Sequence, residues 1–246
     1  MIPGNDAVIN PSKGKKAPAP GPLAVMVSSQ GDVNALCNLM SLNGRPAAHL
    51  MMSQVRMPAD PESRFSLTGP VVSAPYAVML LETLVAWGAR EIIFFGWCGS
   101  LSPHVRIGDI VLPTGAIIDE GTSPGYDGQH LGTALPSGEM NNRIRTALKN
   151  HDLSFHEGAI WSTDAIYRET REKVKYFQAR NAVGVEMELS ALFTAGKFRN
   201  VRVGAVLVVS DELATLTWQP GFKDKRFRNS RSAVAEVIKE LCQTVP

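Results

Sequence analysis

Acidic side chains at the ends of apolar runs are where this chain could do proton chemistry. Asp211 directly follows VRVGAVLVVS, whose far end should be partly shielded from water. A carboxyl in that setting can retain a proton and hand it to a leaving group. Its alternative role is to cap whatever follows the strand. Ser210, beside it, offers a hydroxyl to the acid or to a ligand, or closes a local turn. Near the other end, Asp32 follows LAVMVSS, where capping the next helix is one role open to it. Glu186 and Glu188 are two positions apart, so on a helix they diverge and cannot work as a carboxylate pair. Only one of them should face a ligand.

Placing these groups requires alternating strands and helices. LAVMVSS reads as a buried first strand ending in the turn SSQGD, and GDVNALCNLM as a helix. AVMLLETLVAWGA carries apolar residues around a helix that Gly88 stops, and REIIFFG follows as a buried strand. IGDIVLPTGAII and FHEGAIWS are strand-like, with the amphipathic helix EMNNRIRTALKNH between them. VGVEMELSALFTAGKF has helical spacing, VRVGAVLVVSD is a long buried strand, and SRSAVAEVIKELC closes the chain as an amphipathic helix. The pattern predicts a single α/β domain over residues 23–246, with helices around a mostly parallel or mixed sheet. Residues 1–22, rich in Pro, Gly and Lys, should form an extended arm. Ligands in such folds collect where strands end. That points to residues 28–32, 94–101, 159–164 and 208–211.

Composition narrows the partners. Lys and Arg number 25 against 23 acids over 246 residues, scattered along the chain, so neither nucleic acid nor a membrane surface is expected as the partner. A small ligand is. Cys37, Cys98 and Cys242 are far apart and odd in number, which indicates neither disulfides nor a metal site. Without a signal-like or membrane-length apolar run, a cytoplasmic location is expected.

Taken together, G-x-C-G-S-L before VRIGDIV at 105–111, EGTS-x-G-Y at 120–126, VEMELSAL at 185–192 and VSD at 209–211 resemble one family. It comprises the bacterial purine nucleoside phosphorylases, uridine phosphorylases and methylthioadenosine/adenosylhomocysteine nucleosidases. The resemblance runs from about Leu23 to the C-terminus. It implies a single α/β domain around a barrel-like mixed sheet, assembled as a homo-oligomer, and a nucleoside substrate without a cofactor. It implies that Asp211 protonates purine N7 as the glycosidic bond breaks, with Ser210 in support, and that a purine is the base. It implies that Glu188 holds the ribose hydroxyls while Met187 packs on the sugar, and that Trp161 stacks on the base. A core position is the alternative for Trp161.

The resemblance weakens at the phosphate site. Phosphorylases carry a Gly-Asp-Pro-x-Arg loop after the first strand, whereas this chain has Gly31, Asp32 and Val33 with no Arg nearby. Another Arg and a Ser or Thr of theirs are replaced here by Phe94 and Trp97, beside Gly99. Aromatic rings hold no oxyanion. Arg56 or Arg64 could serve a neighbouring subunit, and GFKDKRFR could close over a ligand or remain solvated. The nucleosidases instead orient a water with a carboxylate near the first strand, close to Asp32. Three activities therefore stand: phosphorolysis with phosphate as co-substrate, hydrolysis through a water on Asp32, and nucleoside binding without turnover.

Overall fold

The structure, a computed structural model, describes residues 7–44, 46–60, 62–127 and 132–244. LAVMV forms β1 (Leu23–Val27), with all five residues buried. Ser29 caps α1 (Gln30–Leu39), accepting the backbone N–H of Asp32. Then β2 (Ala48–Leu50), β3 (Ser53–Arg56) and β4 (Phe65–Gly69) form an antiparallel extension that reaches β1 through a parallel β4 pairing. Helix α2 (Ala74–Trp87) stops at Gly88, whose φ of 128° suits glycine, and feeds β5 (Glu91–Ser100).

The remaining chain alternates as expected. It runs through β6 (Ile110–Asp119), a short α3 (Pro124–Asp127), β7 (Thr133–Ala134), α4 (Gly138–Asn150) and β8 (Phe155–Thr163). A 3-10 turn (Ile166–Arg168), α5 (Arg171–Gln178), β9 (Ala182–Glu186) and α6 (Leu189–Phe198) follow. Last come β10 (Arg202–Glu212), β11 (Gln219–Pro220) and α7 (Lys225–Gln243).

Strand β10 closes a barrel. It pairs in parallel with β5 and antiparallel with β6, while β6 continues through β8 and β9 back to β5. The five-strand ring is of mixed direction, so the α/β expectation holds in a closed form. Alternate residues of β1 and β5 serve two cores, as the two-residue strand period demands. Ala24, Met26, Ile92 and Phe94 pack with α2 and α6, whereas Val25, Val27, Ile93 and Phe95 pack with α1, α4 and α7. Helix α4 comes so close to β10 that a Cβ on Gly204 would lie 2.5 Å from Met140.

One expected element is corrected. VEMELSAL is not one helix: β9 runs through Glu186 and α6 begins at Leu189. The Glu186 carboxylate accepts the N–H groups of Glu188 and Leu189 at 2.7 and 2.8 Å, satisfying donors that a preceding turn would have used. In GFKDKRFR, open between closing over a ligand and staying solvated, Asp224 caps α7 and the residues from Lys225 onward lie within that helix.

Candidate active site

A cavity of about 480 Å³ opens where β1, β5, β9 and β10 end. Ser28 and Ser29 border it after β1, Trp97 to Gly99 on β5, Val185 to Glu188 at the β9–α6 bend, and Ser210 and Asp211 on β10. The expectation that ligand groups gather at strand ends is met by these residues. Four carboxyls, those of Glu169, Glu186, Glu188 and Asp211, line the cavity, and among the described residues no Lys, Arg or His does.

The strand-to-helix bend brings together the two glutamates that a continuous helix would have separated. Glu186 is buried and accepts three donors: Ser162 Oγ and the backbone N–H groups of Glu188 and Leu189. Glu188, at the N-cap of α6, accepts the backbone N–H of Ser73 at 2.6 Å. Burial raises the Glu188 carboxyl well above the usual carboxylate range, and the neighbouring Glu186 charge raises it further. Burial also raises Glu186, against the pull of its donors. Because Glu186 is held by the Ser162 hydroxyl and two amides, and its charge in turn raises Glu188, the proton of the pair belongs on Glu188. A protonated Glu188 both donates and accepts, which suits a vicinal diol.

Asp211 stands at a register shift in the β10–β5 pairing. Ser210 Oγ donates to its Oδ1 at 2.6 Å and the Trp218 indole N–H to its Oδ2 at 2.9 Å. Gly99 makes the room: a Cβ there would stand 3.1 Å from Asp211 Oδ2 and 2.5 Å from Leu213 Cδ1. Met187, Glu188, Ser210, Trp97 and Gly99, all expected at the ligand, border the same cavity as Asp211.

Three expected residues lie elsewhere. Trp161 is fully buried, stacked on Phe177 at 4.2 Å, and its N–H donates to Asp119 at 2.9 Å. It is a core residue with a ring face already covered. Asp32 is only 3% exposed and occupied: Ser29 Oγ and Trp97 Nε1 donate to one oxygen at 2.7 and 2.8 Å, and Arg231 pairs with the other at 2.7 Å. That carboxylate is committed to the fold and does not border the cavity. Gly31 packs against the same guanidinium, its Cβ position 3.3 Å from Arg231 Nη2. Phe94, at the supposed phosphate position, is core.

An arginine does therefore stand near the first turn, contrary to the sequence expectation, but it arrives from α7. Its guanidinium lies 4.7 Å from the Trp97 ring centroid and is spent on Asp32. Arg56, considered for a neighbouring subunit, donates to the Leu42 and Gly44 carbonyls of its own chain. Reading the sequence also missed Glu169 and Ile166, which border the cavity, and Ser73, while Phe222 at the cavity belongs to GFKDKRFR. The 3-10 turn that carries Ile166 has no periodicity to announce it.

A closed mixed barrel with a carboxyl-lined cavity at its strand ends defines an α/β domain with one candidate ligand site. The chain belongs to the phosphorylase superfamily, whose family model matches residues 22–244. It is 31% identical over 142 residues to a guanosine phosphorylase of Halorubrum lacusprofundi, covering 58% of each chain. It is 30% identical over 159 residues to a uridine phosphorylase of Treponema pallidum, covering 60% of this chain and 61% of that one. Among solved structures, an AMP nucleosidase from Bacteroides thetaiotaomicron shares the fold at a TM-score of 0.70 and 21% identity, covering 91% of both chains. The match spans less than two thirds of the two curated relatives. No helix among the described residues is long and apolar enough to cross a membrane.

Proposed function

We propose that this protein cleaves the N-glycosidic bond of a purine nucleoside, with Asp211 delivering a proton to the departing base and Glu188 holding the ribose hydroxyls. The observation that carries this reading is the meeting of Asp211, Ser210, Met187 and Glu188 around one cavity from two distant parts of the chain. Breaking the bond builds positive charge on the sugar and pushes electrons into the base. Carboxyl groups around the sugar stabilise the first, and an acid facing the base relieves the second.

The attacking group in this proposal is water. A phosphate dianion would enter a cavity lined by four carboxyls and no cationic side chain among the described residues. It would meet repulsion with no guanidinium to offset its lost hydration. Phosphorolysis is the second reading, favoured by the names of the relatives above, and it requires a cation from another copy of the chain.

Base release from adenosine, inosine, guanosine and methylthioadenosine, with and without phosphate, separates these readings. Equal release without phosphate is expected, with Asp211→Ala slower by about 10²–10⁴-fold. Strict dependence on phosphate would replace water by phosphorolysis. Full activity in Asp211→Ala, or no release by the wild type, would overturn the proposal.

A further inference from the structure

We infer that Asp32 decides which nucleophile the pocket admits: its carboxylate is a built-in anion that takes the donors an incoming phosphate would need, leaving water to attack. The inference rests on the hydrolytic reading above and gives Asp32 a role other than orienting that water.

An oxyanion leaves water only for fixed donors, best with a guanidinium among them. Such a set stands beside the cavity. Ser29, after β1, and Trp97, on β5, both border it, yet neither presents its polar hydrogen there. Ser29 Oγ and Trp97 Nε1 donate to Asp32 Oδ2 at 2.7 and 2.8 Å. Asp32 itself lies behind that wall, 3% exposed. From the far side Arg231 of α7 donates to Oδ1, through Nε at 2.8 Å and Nη2 at 2.7 Å. The same guanidinium lies 4.7 Å from the Trp97 ring centroid, so the cation backs the wall that the indole faces. Gln30, next along the wall, gives its amide to Asn34 at 2.8 Å.

Helix capping does not account for this set. Ser29 caps α1 by accepting the backbone N–H of Asp32, and that bond needs no carboxylate. The Asp32 side chain instead collects a hydroxyl, an indole N–H and a guanidinium from three separate elements. Those are the donors that hold a bound oxyanion elsewhere in proteins.

In the wild type, a water oxygen bonds to C1′ as the C1′–N9 bond breaks and its electron pair passes into the purine. The proton that water loses balances the one the base gains, and ribose and purine leave. Without the Asp32 carboxylate, Arg231 has no counter-ion, and two oxygens of hydrogen phosphate present the same kind of edge to the donors. A phosphate oxygen then bonds to C1′. The proton of hydrogen phosphate balances the one on the base, and the products are ribose 1-phosphate and purine.

The test uses Asp32→Ala, which keeps the backbone N–H that Ser29 accepts, with inorganic phosphate and formate as probes. Thermal melts come first, without substrate, each probe being compared with chloride at equal ionic strength. Asp32→Ala should melt below the wild type and gain at least about 2 °C more than the wild type does from either probe. Asp32→Ala/Arg231→Met should gain no more than the wild type. Equal gains in all three proteins, or an Asp32→Ala that folds with neither probe, overturn the built-in anion. A gain from formate alone overturns its bearing on phosphate. The second measurement is purine release from inosine, with the sugar product identified. Phosphate should speed Asp32→Ala by about tenfold or more and turn its product into ribose 1-phosphate. The wild type should yield ribose at a rate indifferent to phosphate. Ribose from Asp32→Ala at every phosphate concentration overturns the choice of nucleophile, and ribose 1-phosphate from the wild type overturns the hydrolytic reading with it. A wild type that releases no base overturns the glycosidic reading, while the melts still decide whether Asp32 stands in for an anion.

Discussion

At the residue scale, the site depends on small groups that let large ones meet. Gly99→Ala would push a methyl against Asp211 Oδ2 and Leu213, so activity should fall by at least about tenfold while the fold survives; steady-state rates alongside thermal melts check this. Glu169 has a stability signature as well. Burial, then the Asp211 charge, make its carboxyl bind a proton more tightly folded than unfolded, so its contribution is complete below about 4.5 and lost as pH rises through about 7. Glu169→Gln should therefore gain in melting temperature over the wild type as pH climbs from 5 to 8. Equal differences at both ends would contradict the direction of that shift. Asp211 and Ser210 were legible in the sequence because they end a buried strand, and Met187 and Glu188 through the VEMELSAL motif that carries the family resemblance. Arg231 was not, since it meets Asp32 across 199 positions. Nor was Trp161 as a core residue, because nothing local says that Phe177 will cover its ring.

At the scale of elements, the Asp32–Arg231 pair fastens α7 to the start of α1, with Trp97 of β5 bonded to the same carboxylate. Removing one partner strands the other charge out of water. Arg231→Met should cost about 3–5 kcal/mol in chemical denaturation, and adding Asp32→Asn should recover part of that loss. Additive losses would mean that the pair is not coupled. Long apolar runs such as LAVMV, REIIFF and VGAVLVVS declared their strands because they are buried on both faces. The edge strand β2 and its neighbour β3 did not, being three and four residues long with mixed burial. The β9–α6 bend escaped because the helical spacing of VEMELSAL is real from Leu189 onward and misleading before it. What ends the strand there is the buried Glu186 carboxylate folding back on the amides two and three residues on.

At the scale of the whole molecule, the closed ring and its extension should differ in local stability. Strands β5 and β10 are paired on both sides, while β2 ends the sheet. Native-state hydrogen exchange should show the amides of β5 and β10 opening only with global unfolding, and those of β2 and β3 opening earlier. Uniform protection would contradict this ranking. The position of β10 also fixes an order of events during synthesis. Its residues, 202–212, join β5 to β6, so four of the five ring strands must wait as an open sheet until the fifth leaves the ribosome. Arg231 follows later still, and until it docks, Asp32 has no counter-ion. Nascent chains arrested before residue 202 should therefore be protease-sensitive, and those released after α7 resistant. Helix α7 thus completes what β1 and α1 began.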